Sequence, residues 1–231
     1  MRDKDVEAAW HGFASCEQCG IRDLVLFADL KGEDFSAIHL PIEDIWLPPG
    51  ALLYSAGQEA GALYTVREGL LKQEQYLPDG TLRIVSLLRQ GDVAGLEALV
   101  APEYEHSSVA LQPSKVCRLP REVVSRLSPK LHRQLMNKWY GSVQRSHECI
   151  RELSTGSARQ RVARLFLILA PEDVRHCRLF GREDVGGLLG ITTQTASRIV
   201  AEFKRSGLVR EIAPNIFERS WQALENTAAE S

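Results

Sequence analysis

The stretch Gly190-Ile191-Thr192-Thr193-Gln194-Thr195-Ala196-Ser197-Arg198-Ile199-Val200 reads as the turn and second helix of a helix-turn-helix. Gly190 supplies the turn between two short helices. Thr192 or Thr193 is placed to cap the second helix, because a hydroxyl there accepts from backbone N–H groups that have no partner within the helix. Ile199, Val200 and Phe203 form its inward stripe. Gln194, Ser197 and Arg198 lie three and four residues apart, so they share the opposite face. Their chemistry suits base edges: Arg reads guanine, Gln reads adenine, and Ser serves either. The competing reading is an ordinary amphipathic helix. The glycine turn, the short helix before it and the polar face together favour DNA.

Reading outward supports the same assignment. Arg182 to Leu189 is expected to form the first helix of the motif, with Glu183 and Asp184 at its positive N-terminal end. Leu208-Val-Arg-Glu-Ile and Asn215-Ile-Phe-Glu, separated by Ala213-Pro214, read as the two strands of a wing. Ser220 to Glu225 reads as a last short helix, Arg178-Leu179-Phe180 as a short strand, and Ala158 to Leu169 as a helix that ends at Pro171. This is the pattern of a winged helix-turn-helix. From Gly156 to Arg210 ten basic residues face five acidic ones, an excess suited to phosphates. A solvated charged surface would give the same count, so charge supports the reading without deciding it.

From Ile45 to Leu119 the texture is different. Short apolar runs are cut by Pro48-Pro49-Gly50, Ala56-Gly57, Glu68-Gly69, Pro78-Asp79-Gly80 and Gln90-Gly91-Asp92. Such spacing points to a β-sandwich or barrel. Pro78-Asp79-Gly80 is a strong hairpin signal. After Pro129 the period becomes helical: Met136, Trp139, Val143, Ser146, Ile150 and Leu153 alternate spacings of three and four. That is a heptad seam, suited to pairing with a second copy of the chain or to packing on its own domain. The expected organisation is an N-terminal cysteine-containing segment (1–30), a sensory β-barrel (31–128), a dimerisation helix (129–154) and a DNA-binding domain (155–231).

The whole-chain properties exclude other classes. The 231 residues are 44% hydrophobic and 25% charged, with a net charge of −2. No apolar run approaches the roughly 20 residues that span a bilayer, and the charged N-terminus carries no signal-peptide core. A cytoplasmic protein without a membrane partner is expected. Five scattered cysteines make no secreted disulfide framework. No nucleophile–base pair or dense carboxylate site suggests an enzyme.

A jelly-roll-like barrel, a long dimer helix and a C-terminal winged helix, in that order, resemble the Crp/Fnr superfamily of bacterial transcription regulators, and within it the Fnr-like branch. The landmarks are Ala62-Leu-Tyr-Thr-Val-Arg-Glu-Gly69, Leu87-Leu-Arg-Gln-Gly91-Asp92-Val-Ala-Gly95, Val116-Cys-Arg-Leu-Pro120 and Gly190-Ile-Thr-Thr-Gln-Thr-Ala-Ser-Arg198. The resemblance implies an α+β fold with a cyclic-nucleotide-binding-like domain. It also implies a homodimer on palindromic double-stranded DNA with half-sites one helical turn apart. RNA polymerase would be a partner of an activator. Thr192, Thr193, Gln194, Ser197 and Arg198 are the expected DNA-binding residues. The Fnr pattern has Glu, Ser and Arg on the recognition helix; Ser197 and Arg198 match it, and Gln194 stands where the Glu would be.

The resemblance also raises the question of the signal. Cyclic-nucleotide members need a ribose-binding carboxylate and a phosphate-binding Arg. Here Glu97 can serve as the first, but no Arg follows, and Glu103 and Glu105 would repel a phosphate. Cyclic nucleotide is therefore not the expected ligand. The Fnr branch holds an iron–sulfur cluster on three N-terminal cysteines and one late in the barrel. Cys16 and Cys19 resemble the N-terminal pair, and Cys117 sits where the fourth ligand is found. The remaining cysteine is missing, with Val25 and Phe27 at its usual places and Asp23 as a candidate oxygen ligand. A cluster, a dithiol switch between Cys117 and Cys16 or Cys19, and a Cys117 that is only a small buried hydrophobe all remain open. Haem is a further ligand of the superfamily, for which His106 is the first histidine to test. The alternatives to a redox-responsive regulator are a Crp-like regulator of haem or nucleotide, and a ligand-binding module without DNA binding.

Overall fold

The computed structural model describes residues 43–169 and 175–229; Cys16, Cys19, Asp23 and the short helix expected over Asp23–Leu30 lie outside them. The contacts divide into two compact units, one built on residues up to 75 with 86–145, the other on 76–85 with 146 onward.

The first unit holds the strands β1 (Glu43–Leu47), β2 (Leu52–Tyr54), β3 (Ala62–Glu68), β4 (Leu71–Tyr76), β5 (Leu82–Leu88), β6 (Val93–Ala94), β7 (Ser107–Ala110) and β8 (Ser114–Pro120), the tip of the β4–β5 hairpin being grouped with the second unit. They form two four-stranded sheets, in the orders β1-β8-β3-β6 and β2-β7-β4-β5. This is the double-sheet form of the expected jelly roll. β3 lies between β8 and β6, and its first five residues are all buried. A strand covered on both faces needs no polar–apolar alternation, which explains the continuous run Ala62-Leu-Tyr-Thr-Val. The β4–β5 turn forms as expected from Pro78-Asp79-Gly80: Asp79 Oδ1 accepts from the Thr81 N–H at 2.9 Å.

Three tyrosines fill the space between the sheets. Tyr54 of β2 stacks on Tyr104 at 3.9 Å between ring centroids and on Tyr64 of β3 at 5.6 Å. The Tyr104 hydroxyl accepts from Ala62 N–H and donates to Ala62 C=O at 2.6 Å. Burial raises the ionisation of Tyr54 and Tyr104 well above the usual phenol range, so both hydroxyls remain neutral.

Helix α1 (Arg121–Leu153) is one continuous element of 33 residues with Pro129 inside it. The sequence predicts a start at Pro129, because Pro is favoured in the first turn of a helix. The structure carries the helix further upstream, to Arg121. Val123, Val124, Leu131 and Leu135 bury themselves in the core of the β unit. Farther along, Lys138 Nζ donates to Gly91 C=O at 2.6 Å, and Arg145 pairs with Asp92 at 2.9 Å. Burial raises the Asp92 carboxyl, while the Arg89 N–H and the Arg145 guanidinium pull it back. The Gly91-Asp92 turn is thus tied to the helix by charge-assisted bonds.

The second unit contains α2 (Ala158–Ile168), β9 (His176–Arg178), α3 (Arg182–Leu189), α4 (Thr193–Arg205), β10 (Val209–Ala213), β11 (Ile216–Arg219) and α5 (Trp221–Ala229). The strands pair antiparallel in the order β10-β11-β9. Phe166, Phe203 and Phe217 meet at its centre, with Phe166 5.5 Å from Phe217 in an edge-on contact and 6.3 Å from Phe203. One aromatic from α2, one from α4 and one from β11 therefore bind the three layers together.

Candidate nucleic-acid interface

The local chemistry of α3 and α4 sets their turn. Gly190 caps α3 in the left-handed conformation at φ 62°, which costs a side-chain-bearing residue but not glycine. Gly186 serves a different purpose. A Cβ there would lie 2.6 Å from the Ile191 carbonyl oxygen, so the chain after the turn crosses α3 only because Gly186 has no side chain. Thr192 is the cap of α4, and its Oγ1 accepts from Thr195 N–H at 3.1 Å. In sequence Thr192 and Thr193 are equal candidates for this role; Thr193 is instead the first helical residue and is exposed.

The two faces of α4 separate cleanly. Ala196, Ile199, Val200 and Phe203 are buried. Gln194, Ser197 and Arg198 are exposed. Ala201 and Arg205 extend the exposed side and were not singled out by sequence. Their spacing of seven and eleven from Gln194 continues the same helical stripe, which could have identified them.

Charged residues of α2 hold this helix from behind. Arg159 Nε donates to Glu202 Oε1 at 3.0 Å, and its guanidinium lies 5.6 Å from the Phe203 ring centroid. Arg161 donates to the Leu189 carbonyl at the end of α3. Two of the basic residues counted as phosphate candidates are therefore scaffold residues. In the wing, Arg210 pairs with Glu218 and Lys204 with Glu211. Lys204 and the Asn215 N–H hold the Glu211 carboxyl below its usual range. Asn215 takes the left-handed conformation at φ 60°, which Asn tolerates in a turn. Ile212 is half exposed on this wing.

The expected seam residues are distributed differently along α1. Met136, Val143 and Ile150 are exposed, and Tyr140 joins them at 66% exposure. Trp139 packs against the core of the β unit. Ser146 is half-buried, and Leu153 is buried within its own chain. The exposed apolar stripe is thus Met136, Tyr140, Val143 and Ile150, and the sequence pattern missed Tyr140 because Trp139 satisfies the same spacing rule.

Cys117 lies on β8, opposite Asp44 on β1 and Thr65 on β3. Because Tyr64 faces the tyrosine stack, strand alternation turns Thr65 and Cys117 to the other face of the sheet. The Asp44 carboxylate there is held by Arg67 at 2.7 Å and Lys115 at 2.9 Å. Cys117 itself is buried and belongs to the hydrophobic core of the β unit. Thr65 Oγ1 is buried without a hydrogen-bond partner, a donor available to a sulfur ligand on that face. Cys117 is thus a small buried residue of the β unit, and its candidate partners in a cluster or a dithiol are remote in sequence. The other candidates, Cys16, Cys19 and Asp23, lie outside the described residues. Among the described residues no three His, Cys, Asp or Glu side chains converge as a metal site. Cys149 on α1 is half-buried, and Cys177 on β9 is buried opposite Phe217. His106 is half-buried beside β7.

Comparison with known proteins agrees with this geometry. Residues 44–129 match the family described as cyclic nucleotide-binding domain, and residues 160–227 match the Crp-like helix-turn-helix domain. The fumarate and nitrate reduction regulatory protein of Vibrio cholerae is 29% identical over 205 residues, covering 84% of this chain and 82% of that protein. Among solved structures, FixK2 from Bradyrhizobium japonicum has a TM-score of 0.73 at 22% identity, over 83% of this chain and all of that one. A CRP-family transcriptional regulator from Thermus thermophilus has a TM-score of 0.72 at 24% identity, over 81% of this chain and 97% of that one.

Proposed function

The chain belongs to the Crp/Fnr superfamily of DNA-binding transcription regulators, and we propose that it acts as a cytoplasmic homodimer that reads a palindromic promoter site in response to oxygen or redox state. The observation that carries this is the α4 surface: a Thr192-capped helix, buried along one side, that leaves Gln194, Ser197 and Arg198 exposed on the other. Arg198 donates two hydrogen bonds to guanine O6 and N7, Ser197 adapts to the neighbouring base, and Thr193 contacts the backbone. Gln194 both accepts and donates, so it serves cytosine less strictly than a Glu would, or pairs with adenine. The expected site is an Fnr-like palindrome of TTGA-type half-sites, with a weakened preference at the pair read by Gln194.

Dimerisation places two such helices one turn of DNA apart. The exposed stripe Met136, Tyr140, Val143 and Ile150 has the heptad spacing for a parallel pair, flanked by Trp139 and Ser146. With no acidic residue along this stripe, the pair is expected to form without a ligand.

The signal is assigned to the cysteines. Cys117, Cys16 and Cys19, with Asp23 completing the set, would hold an iron–sulfur cluster, which supplies oxygen-sensitive thiolate bonds when bound. Without the cluster the same thiols form a dithiol switch. The register pairing of Cys117 with Thr65, whose buried Oγ1 lacks a partner, supports either use. Cyclic nucleotide is disfavoured as the ligand, because no Arg follows Glu97 to hold a phosphate and Glu103 and Glu105 would repel one. Contact with RNA polymerase follows if the regulator activates.

The test is binding-site selection on random DNA, paired with sedimentation and with anaerobic iron, sulfide and absorption measurements. A palindromic logo bound by a dimer is expected. A selection that returns no preferred sequence would overturn the reading.

A further inference from the structure

The junction between α1 and α2, which reads in sequence as a plain Ser-Thr-Gly-Ser break, is held by a chain of hydrogen bonds. Thr155 Oγ1 donates to the Arg151 carbonyl at 2.6 Å. Gly156 turns the chain at φ 82°. Ser157 then caps α2 reciprocally with Gln160: the Gln160 N–H donates to Ser157 Oγ, and Ser157 N–H donates to Gln160 Oε1 at 2.6 Å. Both helix ends at the junction therefore find partners within the chain itself.

One side chain gathers these ends. Arg164 projects from the second turn of α2, and its NH1 donates to the Glu152 carbonyl at 3.2 Å and to the Thr155 carbonyl at 2.9 Å. Its NH2 donates to the Ala228 carbonyl at 3.0 Å, in the last turn of α5. The last carbonyls of a helix have no partners of their own and carry the negative end of its dipole. A guanidinium presents several donors in a planar fork, so one Arg164 satisfies the C-terminal ends of α1 and α5 together. The side chain is largely buried, and all three carbonyls belong to the second compact unit.

We propose that Arg164 is a positioning residue for DNA recognition: within the second unit it locks the last turn of α1 to α2 and α5, so that the end of the dimer helix, which carries Ile150, and the reading face on α4 keep one orientation. The inference rests on the dimeric, palindrome-reading function proposed above. Because Ile150 of the seam lies in the second unit only a few residues from this lock, the lock sets where each α4 stands relative to the Ile150 contact across the two-fold axis. Two half-sites then cooperate only at the spacing that this orientation permits, since linked binding is lost when geometry prevents simultaneous engagement. The α4 surface is untouched by the lock, so affinity for a single half-site does not depend on it.

The experiment measures binding of full-length dimer to one selected half-site, and to palindromes whose half-sites are at the selected spacing or one base pair closer or farther. Wild type is expected to prefer the selected spacing by on the order of tenfold, as avidity requires. Arg164→Gln, which keeps one donor, should narrow that preference, and Arg164→Ala should narrow it further. Half-site affinity and the sedimented dimer should stay unchanged in both. Ser157→Ala, which removes the neighbouring cap of α2 but none of the partners of Arg164, should keep the wild-type spacing profile. If Arg164→Ala fails to fold, Arg164→Gln decides. A wild-type spacing profile in a folded Arg164 variant overturns the proposal, and lowered thermal stability with that unchanged profile also overturns it, by reducing Arg164 to a structural role. Wild type that binds no palindrome, or sediments as a monomer, instead overturns the proposed function on which this rests.

Discussion

The β unit and the winged-helix unit differ in where their polar side chains lead. In the β unit, polar atoms are turned inward and several are left without partners: Thr65 Oγ1, Glu97 Oε1 and Ser108 Oγ are all buried and unsatisfied. In the winged-helix unit, polar side chains on α4 face outward, and the arginines of α2 that turn inward end on carbonyls, a carboxylate or a ring, although Arg161 Nε is itself buried without a partner. Unsatisfied buried polar groups are costly and persist where a protein has a use for them. In one unit polar side chains run into the sheet core; in the other they run to helix ends and to an outward face.

The comparison can be broken at the dimer stripe first, where the largest effect is expected. Ile150→Glu would place like charges across the two-fold axis. A buried unpaired charge costs about 3–5 kcal/mol, so sedimentation at micromolar concentration should show a monomer that has lost palindrome binding. A stable dimer of this variant would move the interface elsewhere.

A redox response that belongs to the β unit alone should vanish with one sulfur. Cys117→Ala and Cys19→Ala should abolish the change in DNA binding on exposure to oxygen or a mild oxidant. Cys149→Ala and Cys177→Ala should leave it intact, since Cys149 sits on α1 and Cys177 is packed against the wing sheet. Equal responses in all four variants would reduce Cys117 to a packing residue.

The rigidity of the reading surface can be tested at the turn. Gly186→Ala brings a methyl within 2.6 Å of the Ile191 carbonyl. Overpacking of this kind costs about 1–3 kcal/mol, and thermal unfolding should show the loss in the winged-helix unit while the β unit keeps its own transition. Arg198→Ala should do the opposite, leaving stability unchanged. It should remove about 1–3 kcal/mol of discrimination at one base pair, visible as a flattened position in a selected logo. The smallest effect is expected from Gln194→Glu, which should sharpen preference for G·C at its own pair by about 1 kcal/mol. Identical logos for wild type and this variant would take Gln194 out of base reading.

Much of this architecture was legible in the chain because it depends on local rules. The helix-turn-helix follows from Gly190, a cap at Thr192 or Thr193 and the spacing of Ile199, Val200 and Phe203, all close together in the chain. The β4–β5 hairpin follows from Pro78-Asp79-Gly80, whose turn closes between near neighbours. These signals need no distant partner, so order in sequence is enough to find them. The order of the motifs along the chain likewise identified the superfamily.

What the sequence could not decide are the choices made by distant partners. Trp139 and Tyr140 fit the heptad equally well, and the core of the β unit settled the matter by taking Trp139. Pro129 carries a start signal for a helix, yet α1 begins at Arg121, because Val123 and Val124 bury themselves in a core assembled from strands far away in sequence. Arg159, Arg161 and Arg164 read as a run of phosphate-binding charge, and tertiary packing sent all three inward to a carboxylate and to helix ends. A basic residue announces its charge by type. Whether it meets a phosphate or a carbonyl depends on which element folds over it, and that is a property of the assembled structure alone.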